Sequence, residues 1–311
     1  MTLPTARSDD PYFEAPKGSI GIHSLPPLDP VLYRPTSQAR AFLKEQLGLQ
    51  DDEALKQHIM VVQKKAYSIA PYPCIRTFTF TEIDIIANPA YKELLKIGRE
   101  RKDAIFLEMG SCFGQEARKA VADGFPAAQV VLSDIKGEQL PELMEMGHEL
   151  FKTSAATFPA HIVSGDALDP NMLEVNTPIY DVPDMPYPDL SALGSLNPLR
   201  GHVSAIYASK FFHLFDEAKQ THLARALGGL LSPEPGSVIF GAHISAKEKG
   251  PRAITMLNTT VSVFCHSPES WTELWDGNVY KKGTVRVDAS IQWFETMDGS
   301  VESLKWAVTR L

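Results

Sequence analysis

The chain has 311 residues, 44% hydrophobic and 22% charged, enough for one large domain with an appended cap and too apolar for wholesale disorder. Its 30 Lys+Arg against 38 Asp+Glu give a formal charge of -8, and basic residues run no longer than pairs such as Lys64-Lys65, which excludes the electrostatic footprint of a nucleic-acid binder. Three scattered cysteines and no apolar run near the roughly 18 residues of a membrane span exclude a disulfide framework, a metal knuckle and a membrane protein.

The first residues, MTLPTARSDDPYF, lack the apolar stretch of a signal peptide, so a cytoplasmic protein is expected. Residues 1–36 hold seven prolines and predict an extended arm. Ile20, Ile22, Leu25, Leu28, Leu32 and Tyr33 make that arm apolar, so it is expected to wrap its own surface or a partner's, a homodimer included. Residues 37–102 read as a helical cap. Thr36 or Ser37 caps a first helix, Asp52 to Tyr67 forms a second, Ala70-Pro71-Tyr72-Pro73 breaks it, and Pro89 to Arg101 forms another.

A second, larger domain is assigned to 103–311. Ala104–Met109 is apolar on both faces, as a buried parallel strand requires, and a glycine loop and helix follow it. Val130–Asp134, a helix near Leu140–Phe151 and His161–Asp166 continue the alternation of a doubly wound α/β sheet. Residues 169–200 carry six prolines and interrupt this rhythm as an insertion, where acceptor specificity is expected to reside. The pattern resumes with Val203–Ala208, a helix from Glu217 to Leu231 and Ser237–Ala242. Thr284–Phe294 and Val301–Val308, joined at Asp298-Gly299, read as an antiparallel C-terminal hairpin.

In an open α/β sheet the ligand sits at the carboxyl ends of the strands. Three of those ends carry acids here: Glu108, Asp134 and Asp166. Asp134 lies 20 residues past Gly114, the offset of a carboxylate that grips ribose hydroxyls. Asp166, flanked by Ala167 and Leu168, is placed to accept from an adenine amino group. Gly110 and Gly114 let backbone approach a ligand closely. An ionised Glu108 beside that loop would repel a pyrophosphate and attract a cation. S-adenosyl-L-methionine, with a sulfonium and an ammonium against one carboxylate, is net positive, so charge favours it over a nicotinamide dinucleotide, whose G-x-G-x-x-G fingerprint is missing. An NAD(P)-dependent oxidoreductase on a Rossmann-type sheet, a non-catalytic cofactor-binding protein, and a rearrangement or cyclisation enzyme are the alternatives.

The stretches YPCIR, LEMGSCFGQEARKAVADG, SDI, GDAL, SAIYASKFFHLFDEAKQ, LSPEPGSVIFG and FCHSPESWTELW resemble fungal secondary-metabolite methyltransferases, including the meroterpenoid-pathway enzymes that form methyl esters and ethers. The resemblance spans roughly residues 60–280. It implies a Rossmann-like, seven-stranded class I methyltransferase sheet, S-adenosyl-L-methionine as methyl donor, and a small-molecule hydroxyl or carboxylate as acceptor. Carried over by position, Glu108, Gly110, Ser111, Gly114 and Gln115 line the methionine end, with Ser209 after the fourth strand also at the cofactor. Asp134 and Ile135 take the ribose, and Asp166 and Ala167 the adenine. Cys112 stands where the general loop has its middle glycine and is expected to pack as a small residue. His213 is the candidate general base, since an unperturbed imidazole titrates near working pH; packing against the cofactor is its other role. Tyr67, Arg76, Phe212, His243, Phe264 and Trp271 are the candidate acceptor contacts, with Trp275 as a further choice, and His243 and His266 are the runners-up to His213 as base. Each aromatic among them fits a hydrophobic core equally well. No metal is expected.

Overall fold

A computed structural model describes residues 27–135, 140–256, 259–296 and 299–311. Most of the proline-rich arm and Asp298 of the hairpin turn lie outside them.

Thr36 opens α1 (Ser37–Leu47) by accepting from the Ala39 amide, and its own amide and hydroxyl donate to the Glu82 carboxylate. Gly48, at φ +63, ends the helix in the left-handed conformation glycine favours. Asp51 caps α2 (Asp52–Ile69), whose Leu55, Ile59, Val62 and Ala66 fall on one buried stripe. Gln63 in that helix donates to the carbonyls of Ile75 and Arg76, which ties α2 to the short α3 (Pro73–Arg76). A fourth helix, α4 (Tyr91–Glu100), completes the cap.

The parallel strands are short: β1 (Ile105–Met109), β2 (Val130–Asp134) and β4 (Val203–Tyr207) are buried almost throughout, and β3 (His161–Ser164), at the edge, buries only Val163. Helices α5 (Gln115–Ala122), α6 (Leu140–Phe151) and α7 (Glu217–Leu230) cover them, and α7 leads into β5 (Val238–Ile244). Past β5 come the hairpin β6 (Gly250–Met256) and β7 (Thr259–Cys265), helix α8 (Pro268–Trp275), and the long pair β8 (Val285–Thr296) and β9 (Gly299–Arg310). The main sheet has the order β3-β2-β1-β4-β5-β9-β8, parallel through β5 and antiparallel beyond it. The seven-stranded α/β sheet and its C-terminal hairpin agree with expectation. The β6–β7 hairpin and α8 had no counterpart in the sequence reading.

Strand alternation divides the core. Phe106, Ala205 and Phe240 face one layer with the cap, α5 and α6; Ile105, Leu107, Ile206 and Ile239 face the other, with α7 and α8. The cap docks through Phe42 against Phe151 (6.1 Å), His58 Nε2 on the Leu150 carbonyl (2.8 Å) and the Lys65–Glu149 ion pair. Residues 169–200 prove to be the crossover from edge strand β3 to β4. Leu190, Leu196 and Leu199 are buried, and Arg310, at the amino end of the parallel strands, donates to the Ile179 carbonyl and stacks on Tyr180. That packing fixes the segment across the face of the sheet and commits its middle to the end opposite the ligand face, so it is a structural connection and not the expected specificity loop. Among the described residues no helix is long and apolar enough to cross a membrane.

Candidate functional site

At the end of β1 the chain turns through Gly110 (φ +67), Cys112 (φ +50) and Gly114 (φ +68) before α5 begins. The Gly110 and Ser111 amides donate to the Ser133 carbonyl, which clamps the loop to the end of β2. A Cβ on Gly114 would stand 2.8 Å from Leu132 Cδ1, the movable end of a side chain, so it is the positive φ that favours glycine there. Cys112 holds a left-handed conformation without that freedom, a strain of the kind found at functional loops.

Asp134 closes the loop from the other side. Its carboxylate accepts from the Cys112 amide (2.7 Å) and from the Ile135 amide (2.7 Å). Burial raises its pKa, and these two bonds oppose the rise. Ile135 is 46% exposed beside it, an apolar side chain left open at a strand end. At the end of β3, exposed Asp166 accepts from the Leu168 amide (2.9 Å), and Ala167 and Leu168 are half-buried. Ser111 Oγ, Ser133 Oγ and Gln115 Oε1 are buried with no protein partner. Orphaned polar atoms around a glycine loop, with carboxylates at two adjacent strand ends, fit a polar nucleoside ligand.

Glu108 departs from expectation. It is 3% exposed, its carboxylate accepts from the Ala117 amide of α5 (3.0 Å), and burial followed by Glu116 drives its pKa well above the carboxylate range. An ionised Glu108 attracting a cation is therefore corrected: the group is committed to the helix backbone and inclined to keep its proton.

Beyond β4, Ser209 Oγ donates to the Ala242 carbonyl, and Lys210 sits at φ +52 with its amide 2.6 Å from the same oxygen. Lys210 Nζ pairs with Asp84 at 2.6 Å and lies 5.3 Å from the Phe294 ring. Burial works against its charge, but Asp84 and Glu116 outweigh it and the pKa rises. Asp84 is held in turn, because its amide and that of Ile85 donate to the Glu116 carboxylate at 2.9 and 3.0 Å. Phe294 reaches this point because β9, from Val301 to Gly299, continues past the end of β5 alongside β8. Lys210, Asp84 and Phe294 were not anticipated from sequence; the ion pair joins residues 126 apart, and only the placement of Lys210 just after β4 signalled it.

His213 is half-buried with Nδ1 unpartnered, and burial, then Lys210, lowers its pKa to about 4. That lowering works against the near-neutral base expected there, since a weaker base accepts less from a phenol or alcohol. Phe212, His243 and Trp271 are also corrected from pocket wall to core. Trp271 and Phe212 are 0% exposed and meet edge to face at 5.0 Å, while His243, 2% exposed, accepts from Trp306 Nε1 at 3.0 Å. Strand alternation along β5 turns His243 toward the α8 face, where Trp275 also stacks. Phe264 lies half-buried at the rim of that cluster beside His266, which is itself buried. Tyr67 and Arg76 lie together on the cap, where burial raises the tyrosine pKa and Arg76 opposes it; Arg76 Nε donates to the Pro27 carbonyl. A groove of about 510 Å³ beside His148, His161 and Leu190 adjoins the amino end of β3, away from these groups.

Residues 29–81 match the family model described as the meroterpenoid methyltransferase N-terminal domain. Over 250 residues the chain is 31% identical to the Asnovolin E/Chermesin D methyltransferase nvfJ of Aspergillus novofumigatus, covering 78% of this chain and 77% of that one. It is 29% identical over 238 residues to the methyltransferase adrK of Penicillium roqueforti (76% and 74% covered). It is 28% identical over 258 residues to the O-methyltransferase phiE of a fungal species (81% and 76% covered). Among solved structures, the DhpI–SAH complex is 12% identical with a TM-score of 0.40, over 82% of this chain and 96% of that one.

Proposed function

Since the chain belongs to the fungal meroterpenoid methyltransferase family and is an S-adenosyl-L-methionine-dependent enzyme, we propose that its acceptor is an apolar small molecule methylated on a carboxylate oxygen. The observation that carries this reading is the Lys210 ammonium, held by Asp84 just beyond β4, with the His213 imidazole, whose pKa burial lowers, close by. A carboxylate is already ionised at pH 7 and needs no proton removed, whereas a hydroxyl acceptor would need a stronger base than His213, with its pKa of about 4.

When bound, S-adenosyl-L-methionine supplies an electrophilic methyl on a sulfonium. The chain's part is to hold and orient. Asp134, already fixed by two amides, offers its remaining lone pairs to ribose hydroxyls; Ile135 lies against the nucleoside, and Asp166 with Ala167 receives the adenine. Ser111 Oγ and Gln115 Oε1 serve the methionine end across the Gly110–Gly114 loop. Lys210 has three ammonium donors and gives one to Asp84. A second can hold one oxygen of the acceptor carboxylate, leaving the other free to attack. Phe294 walls the apolar body of the acceptor. Orientation of this kind supplies up to about 7–11 kcal/mol of a barrier.

Calorimetry with S-adenosyl-L-methionine, S-adenosylhomocysteine and NADPH, followed by kinetics on apolar carboxylic acids and phenols, tests this. Lys210→Met removes a charge-assisted bond of about 1.5–3 kcal/mol, so KM for an acid acceptor rises roughly 10- to 150-fold with cofactor affinity unchanged. Turnover of phenols alone, indifferent to Lys210, would sink the carboxylate assignment.

A further inference from the structure

The main sheet ends in two very different edges. Strand β3 has 4 residues, and Leu190 and Ser191 of the crossover line a groove with its His161 and Ile162. Strand β8 has 12 residues and, among the described residues, pairs with β9 alone. That pairing runs from Val285↔Arg310 to Thr296↔Gly299 with no bulge, and β8 contains neither proline nor glycine. Arg286 and Asp288 pair with each other at 2.9 Å on its exposed face. Short length, bulges and proline are the devices that keep an edge from adding another strand, and β8 has none of them. Alternation gives β8 two faces. Val285 is buried, and Val287, Ala289 and Ile291 pack on the core beneath α8. Trp293 continues that row but is 64% exposed, whereas Trp271, Trp275 and Trp306 are buried. The other face carries exposed Arg286, Asp288, Ser290 and Gln292.

We propose that β8 is the interface of a two-fold homodimer, in which the β8 strands of two copies pair antiparallel with Ala289 opposite Ala289. A second copy fits this edge because the strand is complementary to itself in that register. On the apolar face Val285 comes opposite Trp293 and Val287 opposite Ile291, so the row beneath α8 continues across the axis and the open indole is covered. On the other face polar meets polar, with Arg286 opposite Gln292 and Asp288 opposite Ser290. A slip of one residue would set the apolar row against the charged face. Slips of two leave Trp293 opposite Gly283, or Val285 opposite Glu295. The unpaired N–H and C=O groups along β8 supply the main-chain bonds, as in other cases of strand addition. The pairing is independent of the function proposed above.

Analytical ultracentrifugation of the full-length protein, from nanomolar to high micromolar concentration, tests this together with tryptophan emission. The protein dimerises, and over the same concentrations its emission moves to the blue and acrylamide quenching falls, because Trp293 is the exposed tryptophan among the four. Exposed Ser290 reads the register. Ser290→Asp sets an acid opposite Asp288 at both symmetry-related positions and weakens the dimer, and Ser290→Lys sets a cation there and tightens it. Each shifts the dimer Kd by about 2- to 30-fold, in opposite directions. Trp293→Thr weakens the dimer and abolishes the emission change while circular dichroism stays that of the parent. Removing residues 1–26 leaves the dimer intact. A protein that stays monomeric at high micromolar concentration, or Ser290 variants that shift the equilibrium alike or leave it unmoved, would overturn the proposal. So would a dimer lost with residues 1–26, which would move the interface to the arm.

Discussion

Asp134→Asn isolates the carboxylate on which the cofactor half of the site turns. Two backbone amides, of Cys112 and Ile135, donate to it at 2.7 Å each. Bonds of this charge-assisted kind contribute about 1.5–3 kcal/mol apiece. An asparagine oxygen can accept from one amide, but its NH2 then faces the other, so one bond is lost and two donors confront each other. The same replacement removes the anionic acceptor proposed for the ribose. If both losses appear in binding, affinity falls by about 3–4 kcal/mol, or roughly 10²–10³ in Kd. Calorimetry with S-adenosyl-L-methionine and S-adenosylhomocysteine measures this, and urea denaturation separates loss of loop order from loss of binding. A Kd within about threefold of the parent, at unchanged stability, would refute the assignment of Asp134 as both loop anchor and ribose acceptor.

Two further outcomes concern the frame around the site. Burial, followed by Lys249, lowers the His266 pKa to about 4, against an ordinary 6.5. The folded state therefore refuses a proton that the unfolded chain accepts: its stability is fully present above about pH 6.5 and is lost as pH falls toward 4. The difference is worth about 3 kcal/mol, so His266→Phe should lose that much less stability than the parent between pH 7 and 4 in urea titrations; parallel curves would show that the imidazole carries no such burden. Glu116→Ala strands the part-buried Asp84 amide and the buried Ile85 amide and should cost roughly 2–5 kcal/mol in urea, with faster proteolysis of the cap. An unchanged midpoint would mean that the cap docks by apolar contact alone.

The parallel strands were legible because strands buried on both faces read as unbroken apolar runs, and Ile105–Met109 and Val203–Tyr207 are buried throughout. The β6–β7 hairpin was not, since Pro251 opens it and Thr259-Thr260-Val261-Ser262-Val263 alternates with polar residues that also read as loop. Helix α8 hid its start: its capping box pairs Ser267 with Ser270, where a glutamate or glutamine would have marked it. The loop and its carboxylates were legible because their spacing is local in sequence. The Lys210–Asp84 ion pair was not, because its two residues meet only after the cap folds back across the sheet. Phe212, His243 and Trp271 look the same in sequence whether they line a pocket or fill a core; burial alone separates the two.

The position of β9 bears on how the chain is made. It lies between β5 and β8, inside the sheet, although it follows both in sequence. On the ribosome, β8 would emerge with no neighbour, and β5 would show an open edge until residues 299–310 arrive to bridge them. Vectorial synthesis thus leaves two strand edges unpaired together until this segment is made. Trimming this segment would delete the seam of the sheet and set β8 adrift, so a tag or fusion is better tolerated after Arg310 than any deletion before it.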